Sequence, residues 1–217
     1  MFSKNGDEEN PNQKKLTVNT MTSPSQFRQE ALQALRGKWN APAICTLIYI
    51  VITIIICSIL GGIIAPLIIS ILFLNPLAWG YNILLLKNLR SEAVSVNNLF
   101  DGFRDYTRIT GTMALVLLYT FLWTLLLIIP GIIKTYSYAM TSFILNDNPD
   151  TGLNVAIEES MDMMNGHKME LFLLDLSFIG WYILGILSLG IGFIWITPYQ
   201  QTARAAFYEE LKVEYYT

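Results

Sequence analysis

Apolar residues run along this chain in long blocks. The blocks break at Gly61-Gly62, at Pro130-Gly131 and at Leu189-Gly190-Ile191-Gly192, and nearly every Lys and Arg lies between one broken block and the next. Residues 43–60 are almost wholly apolar, and about 18 helical residues are enough to cross a hydrocarbon core. Gly61-Gly62 then turns the chain and 63–86 return it, with a bend at Asn75-Pro76 where proline withholds a backbone donor. The pattern recurs as 109–129 and 132–145 around Pro130-Gly131, and as 169–187 and 193–211 around Leu-Gly-Ile-Gly, with a kink at Pro198. The fold class that follows is all-α, a polytopic membrane bundle of about six helices arranged as three hairpins.

Each hairpin is preceded by an amphipathic stretch expected to lie on the cytoplasmic surface of the membrane. Ser23-Pro24-Ser25-Gln26 opens the first as a capping box with proline at the first helical position. Phe27, Ala31, Leu32, Ala34, Leu35 and Trp39 then share a side, which places Trp39 at headgroup level. In the second, Val96, Leu99, Phe100 and Phe103 oppose Asn97, Asn98, Asp101 and Arg104. In the third, Leu153, Ala156, Ile157, Ser160, Met161, Met163 and Met164 oppose Glu158, Glu159 and Asp162, after the turn signal Asn146-Asp147-Asn148-Pro149-Asp150. Phe27, Trp39, Phe100, Phe103, Met161 and Met164 are the candidate surface for lipid or a partner. The membrane domain spans 23–212, in units 23–86, 92–145 and 151–211. Their similar spacing fits either a triplicated unit or the equal helix lengths that any set of membrane hairpins needs. Residues 1–22, polar throughout, are expected to be a disordered cytoplasmic tail, with no early apolar core of a secretory signal.

Composition agrees with the pattern. Of 217 residues, 53% are hydrophobic and only 14% charged, too apolar for an ordinary soluble domain. The net charge of -3 says little, but the placement of basic residues does. Lys4, Lys14, Lys15, Arg28, Arg36, Lys38, Lys87, Arg90, Arg104, Arg108, Lys168, Arg204 and Lys212 all fall on one side, so both termini are expected in the cytoplasm of a multi-pass plasma-membrane protein. Lys134 alone sits near a turn. Segment 132–145 is short, about 20 Å, and is either a full crossing, a re-entrant segment, or the continuation of a kinked helix. Cys45 and Cys57 are separated by roughly 18 Å of helix rise and cannot pair. With one histidine, His167, no zinc site is expected, nor any other metal or cofactor. Nothing suggests nucleic-acid binding.

Polar residues within the bilayer need a reason, and they concentrate on the returning helices. Asn75, Lys134, Tyr136, Ser137, Gln200, Gln201 and Arg204, joined by Asp175 from an outgoing helix, form a candidate polar intramembrane centre. Asp175 and Arg204 each lie about 14 residues from the centre of the last turn, which sets them at one depth on facing helices as an ion pair. The centre is either structural glue between helices or the wall of a hydrated path. No catalytic residues stand out: Glu158-Glu159 lies on a solvated face, and neither a phosphate-binding glycine loop nor a nucleophile elbow occurs.

The run Ile129-Pro130-Gly131-Ile132-Ile133-Lys134-Thr135-Tyr136-Ser137-Tyr138-Ala139-Met140, with Leu145-Asn146-Asp147-Asn148-Pro149, Gly166-His167-Lys168 and the segment 195–208, resembles a bacterial family of small integral membrane proteins catalogued as domain of unknown function family 975. In architecture that family is distantly similar to the membrane domain of some glycerophosphodiester phosphodiesterases, although this chain has no room for their catalytic barrel. The resemblance implies class and location and brings no activity. The expected function is a non-enzymatic membrane protein working through association: with lipid, anionic headgroups at the cytoplasmic face in particular, with a membrane-protein partner, or with copies of itself. A small oligomeric transporter or channel component is the alternative, and a membrane-embedded lipid enzyme the third reading.

Overall fold

The computed structural model describes residues 23–59 and 69–217, and all regular structure among them is helical. The expected tail 1–22 and the Gly61-Gly62 turn lie outside the described residues. Helix α1, Pro24–Leu35, starts as its sequence predicts, with Gln26 Oε1 accepting from the Ser23 backbone N–H at 3.0 Å. Helix α2, Asn40–Ile59, leaves α1 at a bend of 101°. A π-helical turn, Ser70–Leu74, runs directly into α3, Asn75–Leu89; Pro76 has no N–H for the carbonyl oxygen of Leu72, which accepts from the Tyr106 hydroxyl at 3.0 Å instead. After the 3₁₀ segment Val96–Phe103 come α4, Tyr106–Leu126, α5, Ile128–Ser137, α6, Thr141–Asp147, and α7, Leu153–Met163. Helices α8, Lys168–Leu176, and α9, Ile179–Leu187, form one interrupted run that α10, Phe193–Tyr216, packs against.

The helices divide into a packed body and apolar prongs. In the body, Phe27 and Leu35 of α1, Ile83 and Leu86 of α3, Phe143 and Leu145 of α6, Met163 of α7 and Phe207 and Tyr208 of α10 share one core. The prongs are the α4–α5 tip, where Leu125 and Ile129 are each 72% exposed, and the α9–α10 tip, where Leu187 is 72% and Leu189 93% exposed. Contiguous apolar surface of this kind is not left in water, and lipid is its natural cover. Helix α4 and the run Lys168–Leu187 are each long and apolar enough to cross a membrane, with one more span if the bent pair α1–α2 counts.

Several expectations need correction. The second surface helix is not α-helical, because Val96–Phe103 lies backbone to backbone on α3. A Cβ on Gly80 would strike the Leu99 carbonyl oxygen, and one on Gly102 the Pro76 carbonyl oxygen. The middle hairpin breaks at Leu127, extended at φ -158 and ψ 138, rather than at Pro130-Gly131. Pro130 is tolerated in the first turn of α5, and Gly131 allows the crossing, since a Cβ there would lie 2.7 Å from Thr124 Cα. The expected helix over 132–145 is two, α5 and α6, parted at Tyr138–Met140 where the Ser160 hydroxyl donates to Ser137 O at 2.9 Å and accepts from Met140 N–H at 3.2 Å.

Candidate functional site

The polar centre forms where α5, α8, α9 and α10 meet. Asp175, near the end of α8, has a side chain only 13% exposed. Arg204 comes up from α10 and forks onto it, Nε donating to Oδ1 at 2.9 Å while Nη2 donates to Oδ2. Gln200, one turn before Arg204, donates its amide to Asp175 Oδ1 at 3.1 Å, and the Tyr136 hydroxyl from α5 donates to Oδ2 at 3.3 Å. The Tyr182 hydroxyl from α9 donates to Gln200 Oε1, which closes the network. Asp175 and Arg204, equally far from the Leu-Gly-Ile-Gly turn, thus face each other as their spacing predicts, and the pair is bidentate. Spacing of one turn along α10 stacks Gln200 and Arg204 on the same side, so both reach one carboxylate.

The remaining candidates are placed differently. Ser137 is buried and bonds back to Ile133 O at 3.0 Å, so it belongs to the α5–α7 contact instead. Asn75 begins α3 and takes no part in the network; its Nδ2 is buried without a partner. Gln201 is half-buried on α10 and is also outside it. Lys134 lies with its ammonium 5.2 Å from the Trp123 ring and 5.8 Å from the Tyr138 ring, with Met161 Sδ at 4.0 Å. Aromatic faces hold this cation in place of a carboxylate. Arg204 and Tyr136 also border a cleft of about 310 Å³ whose other walls include Thr120, Thr135 and Tyr138.

Among the residues read as a lipid or partner surface, Phe27 (1% exposed) and Met164 (0%) are inside the chain and present nothing to lipid. Phe27 meets Phe207 edge to face at 5.4 Å, because α1 lies along α10 and spends its apolar stripe there. Trp39, Phe103 and Met161 are half-buried. Phe100, 45% exposed, remains available and leads an aromatic row with Phe103 and Tyr106 at ring separations of 6.4 and 6.2 Å.

A second charged cluster escaped the sequence. Asp147, at the end of α6 with its side chain 8% exposed, accepts from Arg90 Nη1 and Nη2 at 2.8 and 2.7 Å and from the Tyr208 hydroxyl at 3.0 Å; Lys212 also bonds to it, and Glu209 braces Arg90. Burial pushes the Asp147 carboxyl up, but the hydrogen bonds and charges of Arg90 and Lys212 outweigh it and hold the group well below the usual carboxylate range. The hint was present in the sequence: an Asp within a turn signal, and cations at the ends of two long helices.

No curated protein and no solved structure matches the chain. The similarity to the membrane domain of glycerophosphodiester phosphodiesterases is not shown by these comparisons. A family match covers residues 109–214, which include Asp147, the whole Asp175 network and both prong tips. Over those residues the chain matches the family described as protein of unknown function (DUF975).

Proposed function

We propose that this is a non-enzymatic integral protein of the bacterial plasma membrane, with both termini cytoplasmic, that acts by associating with lipid or with another membrane protein. The observation that carries the reading is how the polar centre is used. Both oxygens of Asp175 are taken by donors from Arg204, Gln200 and Tyr136, and Gln200, 7% exposed, spends its remaining oxygen on Tyr182. A path for solute needs polar groups free to exchange partners along it, whereas these are spent on one another, as helix-to-helix glue requires. The exposed apolar prongs supply the lipid-facing surface, and the basic residues around the body supply attraction for anionic headgroups. Orientation follows from those basic residues.

The test is reconstitution of the full chain into vesicles. Under association, proteoliposomes retain entrapped ions and small solutes as protein-free vesicles do, although the protein is fully inserted. Protein-dependent flux that Arg204→Gln abolishes would instead establish the transport reading.

A further inference from the structure

The cleft of about 310 Å³ is walled by Val116 and Thr120 of α4, by Ile132, Thr135 and Tyr138 of α5, and by Arg204 of α10. A guanidinium carries five N–H donors. Asp175 takes those along one edge of Arg204, from Nε and Nη2. Among the described residues Nη1 meets no acceptor, yet it is not one of the buried atoms left without a partner, and the Arg204 side chain is 32% exposed where its carboxylate is 13%. The fork therefore keeps an open end, on a residue that lines the cleft. Thr120 is open in the same sense. Thr124 and Thr135 spend their hydroxyls on carbonyl oxygens one turn back in their own helices, at 2.8 and 3.0 Å, whereas that of Thr120 bonds to nothing among the described residues. Charge is also left over. Lys134 lies against the ring of Tyr138, a wall of the cleft, and no carboxylate among the described residues pairs with it. Two cations thus stand near one carboxylate.

An excess cation among membrane helices is costly unless an anion joins it. Arginine's planar fork, with a hydroxyl donor across the cleft, suits a phosphate. We propose that the cleft holds the phosphate of an anionic membrane glycerophospholipid, bound by Arg204 Nη1 and the Thr120 hydroxyl, with Lys134 balancing its charge and its acyl chains lying along the α4–α5 prong. Lipid is the source because the cleft opens onto apolar surface. Ile132 in its wall is 52% exposed and Phe121, next to Thr120, 60%, and that surface continues to Leu125 and Ile129 at the tip. A lipid of net negative charge fits where a zwitterionic one does not. Phosphatidylcholine offers the same phosphate but brings its own cation to a place that already holds one too many. The inference rests on the reading of the chain as a membrane protein that associates with lipid, and it names the lipid class and its seat.

Delipidated full-length protein in detergent, incubated with phosphatidylglycerol or phosphatidylcholine of identical acyl chains and read by native mass spectrometry, tests it. Phosphatidylglycerol should be retained about tenfold better, the scale of one added hydrogen bond to a charged group. Two variants locate the seat. Arg204→Lys keeps an ammonium for Asp175 but gives up Nη1, and Val116→Trp fills the cleft from a half-buried position outside the charged network. Each should bring phosphatidylglycerol down to the level of phosphatidylcholine. Should Arg204→Lys fail to fold, Val116→Trp decides. Equal retention of the two lipids by the native chain overturns the proposal, and a preference that survives Val116→Trp in folded protein overturns the cleft as its seat. Inorganic phosphate that displaces the lipid at equal concentration overturns the lipid assignment. A chain that inserts into vesicles without headgroup preference loses only this inference, whereas one that fails to insert loses the membrane reading as well.

Discussion

Asp175 and Asp147 are little-exposed carboxylates, each surrounded by donors from elements distant in sequence. Asp175 joins α8 to α5 and α10, while Asp147 joins α6 to α3 and α10. Removing one member of a buried ion pair leaves the other charge unpaired, at a cost of about 3–5 kcal/mol. Asp175→Asn and Arg204→Gln should each lose stability of that order in detergent, and the double variant should lose less than the sum. Strict additivity in chemical denaturation would deny the coupling. For Asp147 the same logic gives a pH dependence. Its folded carboxyl titrates below its unfolded range, so the stabilisation is fully present above about pH 4 and is lost as the pH falls further. Denaturation midpoints between pH 7 and pH 3 should fall more steeply for the native chain than for Asp147→Asn. Parallel curves would mean that the Arg90 and Lys212 bonds do not hold the charged form.

At the scale of elements, the close approaches are made by glycine. Gly80 and Gly102 let the 3₁₀ segment Val96–Phe103 rest against the α3 backbone, where any Cβ meets a carbonyl oxygen that cannot retreat alone. Gly102→Ala should therefore cost about 1–3 kcal/mol, as overpacking does, whereas Gly180→Ala, with open space around its Cβ, should be neutral or slightly stabilising. Equal effects in thermal denaturation would contradict the backbone contact. These cases also mark what could be read in advance. The capping box at Ser23, the Asp175–Arg204 register and the apolar tips depend on local spacing, so the sequence carries them openly. Amphipathicity says only that a face is covered, not by what, and α1 accordingly turns Phe27 toward α10 where lipid was expected. Pro130-Gly131 signals a break to within a few residues, but the break itself falls at Leu127 because proline is harmless in a first turn. The Asp147 cluster depends on three elements meeting, and no spacing along the chain encodes that.

At the scale of the molecule, the decisive question is how deep the prongs reach. The core gathers residues of α1, α3, α6, α7, α8 and the later part of α10, while α2, the α4–α5 tip and the α9–α10 tip carry most of the large exposed apolar residues. Arg28 of α1 donates to Ser177 O at 3.0 Å, which brings α1 to the junction of α8 and α9; α9, its turn and the start of α10 extend beyond that junction. Residues 177–189 rise about 18 Å as helix, a little over half of a hydrocarbon core of roughly 30 Å. Whether the tip emerges thus depends on how far the body itself sinks into the headgroup region. Under the proposed orientation, the basic residues of the body would lie at the level of the inner leaflet's headgroups. A cysteine at Leu189, in a background lacking Cys45 and Cys57, should react with an impermeant thiol reagent from outside intact cells if the last hairpin crosses. Cysteines at Ser91 and Thr151 should react only after the cells are opened. Protection of all three in intact cells, with Leu189 protected even after opening, would instead describe a protein seated in the inner leaflet by prongs that stop within the bilayer. Reaction of Thr151 from outside would reverse the middle hairpin and remove the single-sided placement of basic residues from which the orientation is argued.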